Sequence, residues 1–258
     1  MQSPSFAVFI CLTGFCFLGG CATAPVAVPA YRSPLPPRGI VLVVDGAGGS
    51  PGAARAIAAA VEESGAPLYV RSFEWTHGVR HGLRDMTDVD HARAQGRRLA
   101  EQIAWYRHTY PNTPLSVVAY SAGTHVALEA TKWLQPNTLE RLVLLAPAVS
   151  ADYDLRPALG AARQGIDAFT SKRDRFYLGL GTRIVGTADG KRGVPAAGRV
   201  GFDVPPPTGA DLGLALRLRQ HPWEPGLSWS GNPGNHSGSL SPAYLRAYVL
   251  PLLTTAAE

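Results

Sequence analysis

From residue 39 to residue 145 the chain alternates between short apolar runs and longer stretches whose apolar residues recur every three or four positions. Ile40 to Val44 (IVLVV) is apolar throughout, the pattern of a strand buried on both faces. A glycine-rich turn follows, Gly46 to Gly52 (GAGGSPG), and then an Ala-rich helix from Ala53 to Ser64, closed by Gly65. Leu68 to Phe73 alternates as a second strand, and Glu74 to Asp85 reads as a polar loop. The spacing of Ala92, Leu99, Ile103 and Tyr106 predicts a helix from about Asp88 to His108, stopped by Pro111 to Pro114. A strand ending at Ala119, a helix to about Leu134 and a buried strand at Leu142 to Leu145 complete the first half. Strands and helices at such short intervals imply parallel pairing through right-handed crossovers. The expected class is therefore α/β, a doubly wound, mostly parallel sheet with helices on both faces.

The second half is less regular. Ile166 to Thr170 is strand-like, residues 175 to 211 are rich in Gly and Pro and read as loops over the strands' carboxyl ends, and Leu214 to Leu218 (LALRL) is expected as the last strand. Ser241-Pro242 opens a final helix with Leu245, Tyr248, Val249 and Leu252 as its apolar stripe.

The first residues are of another kind. No charged residue precedes Arg32, and Phe6 to Leu18 is an apolar run too short for a comfortable membrane span. It ends in Leu18-Gly19-Gly20-Cys21, which resembles the lipobox of bacterial lipoproteins, although the usual positive n-region is missing. That resemblance implies cleavage before Cys21, acylation of its thiol, and a membrane-anchored protein of the cell envelope. The expected organisation is a signal peptide over 1–20, a lipidated Pro- and Ala-rich tether over 21–38 and one domain over 39–258. All three cysteines (Cys11, Cys16, Cys21) lie in the leading segment, so thiol catalysis and a Cys-ligated zinc are excluded for the domain.

Composition narrows the classes further. Of 258 residues, 46% are hydrophobic and 17% charged, which marks a globular chain. The net charge is +5, but the basic residues are dispersed and not interleaved with aromatics, so a nucleic-acid partner is not expected. Gly46-x-Gly48 has Pro51 where a dinucleotide-binding loop requires glycine, which argues against a nucleotide cofactor; no cofactor is expected. Asp85, Asp88, Asp90 and His91 lie close together, but that group reads as the acidic start of a helix, and no metal site is expected.

The candidate chemistry centres on residues 114 to 130, PLSVVAYSAGTHVALEA. A strand turning directly into a helix pushes the side chain at the bend outward, and it needs small residues two before and two after. Ala119 and Gly123 meet that need around Ser121. Ala119-Tyr120-Ser121-Ala122-Gly123 resembles the Gly-x-Ser-x-Gly nucleophile elbow of the α/β-hydrolase family, with Ala in place of the first Gly. The resemblance implies that fold from about Gly39 onward. It also implies Ser121 as nucleophile and an oxyanion hole from the amides of Ala47 and Ala122, with Asp45 standing where the family has His.

Among seven histidines, His221 and His236 follow the last expected strand, where the family's base belongs. His236 lies in a Gly-rich loop able to reach the elbow and is the chosen base. For the acid, Asp174 after Ile166 to Thr170 is favoured over Asp189 after Arg183 to Val185, with Asp152 and Asp154 behind. His125, one turn beyond Ser121, reads as a packing residue. The implied activity is hydrolysis of a small-molecule carboxylic ester through an acyl-enzyme. An acyltransferase or thioesterase on the same triad, or a catalytically silent binding or structural lipoprotein, are the alternatives. The oligomeric state is not legible.

Overall fold

A computed structural model of the chain describes residues 38–203, 213 and 216–254. The expected signal peptide, Cys21 and all of the tether but Arg38 lie outside the described residues. Six strands form one sheet: β1 (Gly39–Val44), β2 (Leu68–Phe73), β3 (Leu115–Tyr120), β4 (Leu142–Leu145), β5 (Ile166–Thr170) and β6 (Leu218–Pro222). Their order is β2-β1-β3-β4-β5-β6, and every pairing is parallel. The sheet class expected from the apolar runs is the one observed.

The continuous apolar strands follow from two cores. Ile40, Leu42, Val44, Val117, Ala119, Leu142 and Leu144 face one side, and Val41, Val43, Val118, Val143 and Leu145 face the other. On the first side lie α3 (Val89–Thr109) and α4 (Gly123–Thr131), which pack against each other, and α5 (Arg156–Ala161). The second side is covered by α1 (Gly52–Ser64) and a terminal helix that runs through Pro242–Tyr244, a π-turn Leu245–Val249 and Leu250–Thr254. The first crossover carries the chain from β1 to β2 and the next returns it past β1 to β3. The strand order therefore reverses between β1 and β3, and a crevice opens beyond their carboxyl ends.

Four local expectations are corrected. The last strand is Leu218–Pro222 rather than Leu214 to Leu218; Leu214 and Ala215 lie outside the described residues, and Leu216 is exposed. This edge strand is held by polar contacts, with Arg219 and His221 both bonded to buried Asp167, so it carries no apolar run to betray it. An edge also tolerates Pro222. The loop expected over 74 to 85 contains a short helix, α2 (Gly82–Thr87). Arg183 to Val185, the run before Asp189, is helical within the stretch read as loops: a π-turn, Phe176–Gly181, leads into α6 (Thr182–Val185). The helix expected to reach Leu134 ends as α4 at Thr131, and residues 132 to 134 continue in tighter turns before Pro136.

Candidate active site

The bend at Ser121 is as sharp as the sequence requires. Ser121 has φ of 52°, in a region that non-glycine residues seldom occupy. Its backbone is held on both sides: its N–H donates to Leu145 O at 3.0 Å, and its carbonyl accepts from Thr124 N, Thr124 Oγ1 and Ala148 N. Gly123 is dictated by contact, because a Cβ there would lie 2.3 Å from Asp45 O and 2.5 Å from Val44 O. The helix α4 thus starts directly against the end of β1, which brings the residues after β1 beside Ser121.

His236 arrives from the far end of the chain. Its Nε2 lies 2.9 Å from Ser121 Oγ, and its Nδ1 lies 2.5 Å from Asp174 Oδ2. With Nδ1–H donating to Asp174, Nε2 is free to accept the serine proton. Asp174 is buried, just past β5, and its other oxygen accepts from Leu178 N at 3.2 Å. The imidazole is wedged between Tyr177, stacked at 4.7 Å, and Tyr120 at 5.2 Å. Burial pushes the Tyr120 phenol well above its usual value, so it stays protonated and donates to the His236 carbonyl at 3.3 Å. The loop before His236 is pinned to β5 and β6: Ser171 Oγ donates to Gly234 O, Trp223 Nε1 donates to Asn232 O, and Asn232 Oδ1 accepts from Gly234 N. Gly234 has φ of 84° and lies so close to the Trp223 ring that a Cβ would sit 2.8 Å from it.

The other candidate acids are engaged elsewhere. Asp189 accepts from the backbone and hydroxyl of Ser150, at 2.8 and 2.6 Å. Asp152 pairs with Lys191 and Asp154 with Arg156. His221 stacks on Phe169 and bonds Asp167. His125 is buried on α4 beside Glu129 and Tyr153.

Ala47 and Ala122 flank Ser121, and among the described residues neither backbone N–H donates a hydrogen bond. Ala47 follows β1 and lines the cleft beside the serine. Asp45 does not face the cleft. Its carboxylate receives Ala53 N at 2.6 Å and Ala54 N, capping α1 in place of the side-chain cap that Pro51 cannot give. Burial raises the Asp45 carboxyl to about 6, against the lowering pull of those amides.

The acidic group from Asp85 to Asp90 does more than start a helix. Asp88 does cap α3, accepting from His91 N. Asp85, by contrast, is buried and accepts from Gly48 N, His77 N and His77 Nδ1, each at 2.8 Å. The His91 ring lies tilted against His77 with centroids 3.9 Å apart and bonds Trp75 O, while Trp75 Nε1 donates to Asp45 O. These bonds tie the segment carrying Ala47 to the 75–91 segment from both ends. The close spacing of the group is legible in the sequence; its long reach to Gly48 is not. Among the described residues no group of three or more His, Cys, Asp or Glu could hold a metal ion.

The cleft above Ser121 holds about 480 Å³ and is mostly apolar, lined by Leu83, Met86, Tyr120, Ala148, Tyr177, Leu178, Val185 and His236. That volume and lining suit a small organic ligand with an apolar part.

No protein-family model matches the sequence, and a search of curated proteins finds no match. Solved structures are similar in fold. Esterase PE8 shares 14% identity over 85% of this chain and 97% of its own, with a TM-score of 0.52. A candidate hydrolase of the alpha/beta superfamily from Xanthomonas campestris pv. campestris shares 16% identity over 81% and 95%, with a TM-score of 0.46. TT1662 from Thermus thermophilus shares 17% over 87% and 93%, at 0.48. The all-parallel six-stranded sheet, covered by helices on both faces, is a doubly wound α/β architecture, and the likeness to esterase PE8 is one of fold.

Proposed function

We propose that this chain is a serine hydrolase that cleaves carboxylic esters through an acyl-enzyme. One observation carries the reading: the unbroken line from Ser121 Oγ through His236 to Asp174, assembled from the ends of β3 and β5 and a loop near the C-terminus. A serine hydroxyl is a poor nucleophile unless a base removes its proton, and an imidazole held by a carboxylate is suited to that task. Ser121 Oγ attacks the ester carbonyl carbon while its proton passes to His236 Nε2. The negative charge on the tetrahedral oxygen is received by the amides of Ala47 and Ala122, at the mouth of α4. Collapse expels the alcohol, which takes the proton from Nε2. Water then repeats the sequence on the acyl-enzyme and releases the acid. Asp174 holds the imidazole in the required tautomer and stabilises its protonated form.

The apolar cleft supports an ester with an apolar acyl part. The name of esterase PE8, which shares the fold, agrees with the reading. The same proposal includes anchoring in the cell envelope through Cys21, which rests on Leu18-Gly19-Gly20-Cys21; mass spectrometry of the N-terminal peptide would reveal an acylated cysteine or its absence.

The deciding experiment treats the purified protein with a fluorophosphonate probe. Stoichiometric labelling at Ser121, lost in Ser121→Ala, is expected, together with turnover of p-nitrophenyl esters. Folded protein that takes up no label would instead be a silent scaffold.

A further inference from the structure

Two segments wall the mouth of the cleft: residues 78 to 87, which contain α2, and residues 172 to 185, which contain the π-turn and α6. They pack against each other through α2 and α6. Eleven large hydrophobic side chains are exposed among the described residues, and five of them sit on these two segments. Val79, Phe176 and Ile184 are each at least 70% exposed while lining none of the cleft, so substrate contact in the cleft does not account for them.

The charge on the same rim has one sign. Arg80, Arg84, Lys172, Arg173, Arg175 and Arg183 are exposed. The two carboxylates inside the segments, Asp85 and Asp174, are 2% exposed and turned inward to Gly48 and His236. Arg84 reaches Asp88 at 3.7 Å, and Arg173 lies over Trp223. The other four have no carboxylate partner among the described residues. A surface that mixes protruding apolar side chains with cations matches a lipid interface bearing anionic headgroups, where the apolar groups enter the acyl boundary and the cations meet phosphates.

We propose that this rim docks on an anionic lipid surface, with the cleft opening toward it, so that amphiphilic esters reach Ser121 from the interface. The docking stands on the rim alone; the delivery of esters rests on the hydrolase reading above.

The test places an environment-sensitive thiol probe at Phe176→Cys in the full chain, with Cys11, Cys16 and Cys21 replaced by Ala so that no acyl chain or other thiol contributes. Trp105→Cys, on α3 and away from the cleft, is the control position. Vesicles of phosphatidylcholine with phosphatidylglycerol should blue-shift the probe at 176 and not at 105. Phosphatidylcholine alone should give little shift, and Arg80→Gln with Arg175→Gln and Arg183→Gln should abolish it. No shift at 176, or an equal shift with both vesicle types, overturns the proposal. So does a shift that appears without vesicles and grows with protein concentration, which would mean a second copy covers the rim. Hydrolysis of a soluble p-nitrophenyl ester by the same proteins separates failed docking from a failed hydrolase reading.

Discussion

At the scale of single residues, two aspartates that precede the terminal loop have distinct tasks. Asp174 touches His236, and Asp189 touches Ser150, so their conservative variants should separate cleanly. Asp174→Asn keeps the shape of the site but no longer demands a proton on Nδ1, and kcat for an ester should fall on the order of 10⁴-fold with the fold intact. Asp189→Asn should leave kcat near the parent's and instead lower the melting temperature, because the turn after β4 loses one of its two acceptor oxygens. Comparable loss of kcat in both variants would remove Asp174 from the role given to it. Asp85 has a third task. Asp85→Ala frees Gly48 N–H and with it the orientation of the segment that presents Ala47, so kcat should drop about 10²-fold, as when one oxyanion donor is lost. KM should change little. Asp85→Asn, which keeps one acceptor oxygen, should fall between. A fall in melting temperature with unchanged kcat would make Asp85 a structural residue only.

At the scale of elements, the joint between β3 and α4 sets the site, and its two small residues are not equivalent. Gly123 faces the carbonyls of Val44 and Asp45, backbone atoms that cannot step aside. Gly123→Ala should therefore destabilise by about 3 kcal/mol or more and prise α4 away from β1. Ala119 lies inside β3, paired with Val44 and Leu144 and already accommodated. Ala119→Gly, which restores the commoner motif, should cost only about 1 kcal/mol and leave probe labelling of Ser121 intact, as thermal melts and labelling rates would show. The same distinction governs what could be read from the chain. Strands β1, β3, β4 and β5 announce themselves because both faces are covered, and the elbow is legible because its steric demands are local. Strand β6 hides among polar residues because its stabilisation comes from Asp167, 52 and 54 residues before Arg219 and His221. Asp85 hides for the same reason: its neighbours in sequence suggest a helix start, while its bond partners are distant. Strand quality before it narrows the choice of acid, and only the fold shows that Asp174, not Asp189, lies beside His236.

At the scale of the whole molecule, buried carboxylates pull stability in opposite directions with pH. Glu129 is buried, yet hydrogen bonds from His125, Lys132 and Tyr153 overcome that burial and hold it at about 2. Asp167 is likewise held below the usual range, its burial outweighed by His221, Arg219 and Arg141. Both favour the folded state once ionised, so their contribution is complete above about pH 4.5 and is lost as the pH falls from there. Asp45 has the opposite sign. Its folded value of about 6 lies above the ordinary 3.8, so between those limits the folded protein keeps a proton that the unfolded chain has released. Stability must then decline as pH rises through that window, by up to about 1.4 kcal/mol per unit and on the order of 3 kcal/mol in all. Asp45→Asn retains an oxygen for Ala53 N–H and cannot titrate. Urea midpoints of parent and variant, taken from pH 4 to pH 7, should diverge steadily up to about pH 6 in the variant's favour and run parallel beyond it. Parallel curves across the whole range would mean that the amides at the start of α1 hold Asp45 ionised throughout, and that the capping bond outweighs burial at the entrance to the site.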